Sequence, residues 1–186
     1  MAALYLFGFA WPLIWSASAN ARLVGTFISD EEEHVRLLSH AIASRIPRLG
    51  YIQYGYTYLN LGLAPLFVKS YFKAVSEQEI IVWLRTLSAL FGVGTIAVTF
   101  ILSRRYMGRW VAWTASFLLA VVPWNFLAMS SISHADIPQL FFMMLGLYFC
   151  GRMAEDGRRK WFIGASLAAG LAFGCKYTGL FLLPIL

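Results

Sequence analysis

Charge is scarce in this sequence. Only 13% of its 186 residues are charged and nine are acidic, where a soluble domain carries about 25% charged residues. That shortage points away from water as the solvent of the fold. Cysteine is rarer still: Cys150 and Cys175 are the two present. Both lie in apolar runs, form no metal-ligand spacing, and read as small buried apolar residues. A net charge of +6 does not make this a nucleic-acid binder, because the basic residues cluster in short turns between apolar runs. Lys and Arg retained on the cytoplasmic side of a membrane give that pattern.

What the sequence has in quantity is apolar length, with 60% hydrophobic and 17% aromatic residues. Crossing the hydrocarbon core takes about twenty apolar residues. On that rule the chain reads as an all-α integral membrane protein of about five transmembrane helices. The expected spans are residues 2–19, 80–103, 110–129, 137–151 and 161–186, the last interrupted only by Lys176. Residues 2–19 read as a span rather than a cleaved leader, since they lack a basic start and exceed the usual leader length. Pro123 and Trp124 fall towards the far end of the third span. No polar flank follows the last apolar run, so residues 1–186 are expected to form one membrane domain, the N-terminal part of a larger bundle.

Two turns are basic. One holds Arg104, Arg105 and Arg109 around Gly108, the other Arg152, Arg158, Arg159 and Lys160. The turn SSISHAD, between them in sequence, has neither Lys nor Arg. The positive-inside rule puts the basic turns in the cytoplasm. SSISHAD and the loop of about residues 20–79 then face the non-cytoplasmic side, and so do His34, His40 and His134.

That loop is the one long polar segment, and its stretch 29–60 is where chemistry is expected. Val35, Leu38, Ile42 and Ile46 recur at helical spacing and predict an amphipathic helix suited to the membrane surface. A second helix is expected from about residue 63 to 75, with Pro65, Lys69 and Lys73. Between them stands the tyrosine-rich run YIQYGYTYLN, whose rings also suit a water–lipid boundary. The acidic run Asp30, Glu31, Glu32 and Glu33 has two readings. Ser29 and Asp30 are good helix caps with Glu32 and Glu33 at capping-box positions; equally, one carboxylate, Asp30 first, can act as a base on an acceptor hydroxyl. Asp136 has the same double reading, because S-H-A-D is itself a capping box. Asp30 and His34, with His134 and Asp136, also have side chains that suit a divalent ion, but nothing fixes the spacing of the two pairs, and no metal is assigned.

Ionisable side chains within spans are costly and mark function by default. Arg85 enters the second span from its outer end and Lys176 sits deep in the fifth, so both approach the outer leaflet, where a lipid phosphate could reach them. Either could instead snorkel or pair with a loop carboxylate. The glycines around Lys176 (Gly164, Gly170, Gly174 and Gly179) read as close helix packing and leave the lysine as the residue needing a role. The middles of the spans offer almost none of the facing polar residues a transporter needs.

Four segments, in order, are similar to one family: SDEEEH, WLRTLSALFGVGTIAVTFILSRRYMGRWVAW, SHADIPQLFFMMLGLYF and GASLAAGLAFGCKYTGLFLLP. They resemble the GT-C membrane glycosyltransferases, in the branch of protein O-mannosyltransferases and lipid A aminoarabinose transferases. The resemblance implies a polyprenyl-phosphate-linked sugar donor and a lipid, glycan or protein acceptor on the non-cytoplasmic side. No cofactor is assigned beyond the divalent ion that the side chains above would suit, and the home expected is the bacterial inner membrane or the endoplasmic reticulum. The resemblance makes Asp30 the catalytic base and Glu31 its acidic neighbour. His34, Tyr54, Arg85, His134, Asp136 and Lys176 become the substrate-binding candidates. IQYGYTYLN stands where many relatives have a Pro-Pro-Leu or Lys-Pro segment, and Gln53 carries no charge for a phosphate; Arg45, Arg48 and Lys69 are the candidates to replace it. A membrane scaffold that binds lipid and partner subunits without catalysis is the alternative.

Overall fold

The computed structural model describes residues 29–50, 55–121, 126 and 128–185. Every regular element among them is helical: α1 (Ser29–Ser44), α2 (Thr57–Ser70), α3 (Glu77–Tyr106), α4 (Arg109–Val121), α5 (Ala128–Ser131), α6 (Asp136–Asp156), α7 (Arg159–Cys175) and a 3-10 helix, Tyr177–Ile185. The expected span 2–19 lies outside the described residues, as do Pro123 and Trp124. Two helices, α3 and α6, are long and apolar enough to cross a membrane. At the helical rise, their 30 and 21 residues extend about 45 and 31 Å, against a hydrocarbon core of about 30 Å.

The helices begin and end where local chemistry dictates. Ser76 caps α3 by accepting from the Glu79 backbone N–H at 3.2 Å, while the Glu79 carboxylate accepts from the Ser76 N–H at 3.4 Å. This capping box starts α3 three residues before the apolar run that announces it. Gly108 (φ +93°) turns the chain from α3 into α4, and Gly157 (φ +62°) ends α6 in the left-handed conformation that glycine adopts without strain. The two basic turns meet at one end of the bundle, where Arg105 forms a salt bridge with Glu155.

Packing follows small residues. α4 turns Ala112, Ser116 and Ala120 inward, and α7 turns Ala165, Ala168, Ala169, Ala172 and Cys175 inward. Their large side chains (Trp113, Phe117 and Leu118; Phe162, Leu167 and Leu171) point outward and are exposed. Small inside and large outside is the pattern of helices whose solvent is lipid, where close backbone approach rather than hydrophobic burial drives association. α6 follows it with Gly146, which meets Leu182 and Ala168.

Three expectations are revised. The fifth span is not continuous. α7 stops at Cys175, Lys176 takes an extended conformation (φ −157°, ψ 142°), and the 3-10 helix turns back so that Leu182 reaches Gly146 in mid-α6. The turn forms because Gly179 has no Cβ to collide with the Ala172–Phe173 backbone. Gly55 donates its backbone N–H to the Cys175 carbonyl at 3.1 Å, satisfying an acceptor the helix end would otherwise leave open. That approach needs two glycines, since a Cβ on Gly55 would strike the Gly174 carbonyl. Of the other glycines in this run, Gly164 packs on Phe149, whereas Gly170 faces open space.

The second revision concerns α1, whose apolar stripe is covered by protein rather than lipid. Val35, Leu38 and Ala41 join Tyr58, Leu63, Ile81 and Leu84 in the main core. Ile46, past the end of the helix, is 57% exposed. The third concerns α2, which starts six residues earlier than its apolar pattern and keeps Pro65 inside.

Candidate functional site

Glu31, His34, Val35, Leu38 and Ala41 are related by three- and four-residue spacings along α1 and form its buried face. Two polar groups therefore enter the protein with the apolar ones and must be satisfied there. Glu31 is fully buried, and Arg85 of α3 is nearly so. The guanidinium answers the carboxylate with two parallel bonds, Nε to Oε1 at 2.9 Å and Nη2 to Oε2 at 2.8 Å. The Ser133 backbone N–H donates to the same Oε1 at 2.7 Å. Arg85 thus takes the carboxylate partner left open as one of its readings, and the pair ties the first loop helix to α3 and to the SSISHAD turn.

His34 lies beside this pair. Its Nδ1 is 2.9 Å from the Ser133 hydroxyl, and its ring meets Tyr58 edge-on at 5.8 Å. The Tyr58 hydroxyl donates to the Leu84 carbonyl at 2.9 Å and lies within 3.1 Å of the hydroxyls of Ser88 and Ser133. Burial pushes the Tyr58 phenol well above its usual range, so it stays protonated. Ser133, Tyr58 and Ser88 are the members of this network that sequence reasoning missed. A loop serine and a serine in a span carry no pattern that would have marked them.

Burial also lowers the His34 imidazole from 6.5 to about 4, opposed by the nearby Asp30 carboxylate. The folded protein therefore resists a proton that the unfolded chain accepts. Stability is full above about pH 6.5 and falls as the pH drops from there towards 4, by roughly 3 kcal/mol in all. Melting measured between pH 7 and pH 4.5 should show this slope, and His34→Gln should flatten it. An identical slope in that variant would place the acid sensitivity elsewhere.

Above the buried pair runs a second, partly exposed chain of ionisable groups. The Asp30 carboxylate is 3.2 Å from His134 Nε2. His134 Nδ1 lies 3.3 Å from the Asp136 backbone nitrogen and 3.4 Å from the Asp136 carboxylate, and Nε2 is the ring nitrogen that faces Asp30. The Asp136 carboxylate is 2.6 Å from Lys176 Nζ. Side-chain exposure along this chain is 24% for Asp30, 12% for His134, 42% for Asp136 and 27% for Lys176. Solvent reaches these groups, whereas the Glu31 side chain is closed to it.

The structure thus brings together seven of the eight candidate side chains; the eighth, Tyr54, lies outside the described residues. The capping-box reading of SHAD is not realised. Ala135 is the N-cap of α6 with no side-chain cap, because the Ser133 hydroxyl is turned to His34 and Tyr58. Of the side chains considered for a divalent ion, His34 is turned inward to Ser133 and Tyr58, and no group of three or more metal-ligating side chains placed to hold an ion occurs among the described residues. Gln139 adds a tie that the sequence did not suggest, donating to the Thr178 hydroxyl at 2.6 Å across the Lys176 turn. Of the proposed phosphate-binding cations, Lys69 is engaged by Glu79 at 3.0 Å. Arg45 bonds to Ser70 at 2.9 Å and lies over the Tyr71 ring.

Residues 64–186 match the family model described as dolichyl-phosphate-mannose-protein mannosyltransferase. A stretch of 88 residues, 47% of the chain, is 27% identical to YkcB of Bacillus subtilis (strain 168), provisionally named a mannosyltransferase, and covers 12% of that protein. No solved structure matches.

Proposed function

This chain belongs to the dolichyl-phosphate-mannose-protein mannosyltransferase family, and from that premise we propose that it carries the acceptor-activating half of a membrane sugar transferase. Residues 1–186 are one membrane domain of a larger GT-C bundle. The donor is a polyprenyl-phosphate-linked sugar, with mannose favoured by the names of the family and of the similar protein. The acceptor is a hydroxyl on the non-cytoplasmic side.

Asp30 removes the proton of the acceptor hydroxyl as its oxygen bonds to the anomeric carbon. The bond from that carbon to the lipid phosphate breaks, and the electron pair leaves with polyprenyl phosphate. His134, through Nε2–H, holds the Asp30 carboxylate in position. Lys176 lies at the far end of the same chain, where exchanging Asp136 for the donor phosphate would stabilise the departing charge. Glu31 and Arg85 act one layer below as positioning residues: their bonds are made to each other and to Ser133, and they hold α1 where Asp30 is needed. The observation that carries this reading is the continuous run Asp30–His134–Asp136–Lys176, partly open, at the end of the bundle opposite the basic turns.

The test is donor choice. The full-length protein in proteoliposomes should transfer mannose from polyprenyl-phosphate mannose and not from a nucleotide sugar. Transfer from the nucleotide sugar alone would overturn the proposal.

A further inference from the structure

At the other end of the molecule α3 and α6 leave a cleft of about 340 Å³ between them, lined by Phe100, Ile101, Arg104, Arg105 and Tyr148. Its two arginines differ. Arg105 is answered by Glu155, whereas Arg104 has no carboxylate within ion-pairing distance among the described residues. The surrounding turns bring five more cations (Arg109, Arg152, Arg158, Arg159 and Lys160) against two acids, Glu155 and Asp156. The rest of the lining is apolar or aromatic, and Ile101 within it is 49% exposed. An unanswered guanidinium beside an apolar wall, at the basic end of membrane helices, asks for a ligand that is anionic at one end and greasy at the other.

We propose that this cleft binds the phosphate headgroup of an anionic membrane lipid. Arg104 receives the phosphate by charge-assisted hydrogen bonds, with Tyr148 across the cleft on α6. Phe100 and Ile101 hold the first methylenes, and the acyl chains run along α3 outside the cleft. Basic pockets between membrane helices hold phospholipid headgroups in this manner. At 340 Å³ the space falls at the small end of ligand pockets, suited to a headgroup but not to a whole lipid. The proposal rests on neither the sugar donor nor the acceptor assigned above.

The full-length protein is to be taken from mixed phosphatidylcholine–phosphatidylglycerol vesicles into detergent, and its retained lipids counted by native mass spectrometry. The wild type should retain phosphatidylglycerol in preference to phosphatidylcholine. Arg104→Gln should lower that retention about fivefold, the effect of one cation near an anionic surface. Arg104→Lys should keep most of it, which also shows that the site tolerates substitution. Arg159→Gln removes the same charge from outside the cleft and should change nothing. Equal losses in the Arg104→Gln and Arg159→Gln variants would mean diffuse surface charge and overturn the site. Retention of the two lipids in equal amounts would overturn it as well.

Discussion

Replacing Asp30 by Asn should slow sugar transfer about 10²–10⁴-fold, the usual contribution of a positioned general base, while folded protein accumulates in normal amounts. Asn keeps an oxygen that can accept from His134 Nε2–H, so the contact at 3.2 Å survives in kind and only the basicity is lost. The carboxylate is 24% exposed, so its neutralisation leaves no buried polar group behind. His134→Gln should cost less and should alter the pH dependence of transfer, because it loosens Asp30 without removing it. Initial rates in proteoliposomes, at matched amounts of folded protein, decide the matter. A full rate in Asp30→Asn would remove that residue as the base.

Arg85→Met should do the opposite, removing stability first and activity as a consequence. It strands the Glu31 carboxylate, which has no exposed side-chain surface, and breaking such a pair from one side costs about 3–5 kcal/mol. Thermal unfolding in detergent should show a large drop in melting temperature. The double variant Glu31→Gln/Arg85→Met should recover much of it, since no buried charge then remains and the Gln oxygen can still accept from the Ser133 N–H. A single variant that melts like the wild type would mean that α1 is held by its apolar contacts alone. The two experiments separate the layers of the site: Asp30 should matter to rate but not to melting, Arg85 to both.

Much of the site's membership was legible in the sequence. Asp30 and Glu31 stood out because acids are few, and Arg85 and Lys176 because a cation in an apolar run needs a reason. What could not be read was which charge answers which. Arg85 and Lys176 looked alike as embedded cations, yet Arg85 is locked to Glu31 in the interior, whereas Lys176 sits at a helix break beside Asp136. The break itself was hidden, because GCKYTGL is as apolar around its lysine as a continuing helix would be. Gly179 lets the chain turn back on Ala172 and Phe173, and the helix end this leaves is met by Gly55, far away in the chain, whose N–H reaches the Cys175 carbonyl.

By itself the sequence determined the helical, lipid-adapted character of the chain and the location of its two basic turns. It also showed where small residues recur and which few ionisable groups had to be accounted for. These are properties of composition and short-range period, and they need no knowledge of neighbours. Only the tertiary structure decided that Glu31 meets Arg85 from 54 positions away, and the Ser133 N–H from 102. A loop helix that looked amphipathic enough to lie on a membrane was drawn inward for the same reason. A buried carboxylate needs specific partners, and partners brought together from three distant segments are supplied by packing, which no local pattern records.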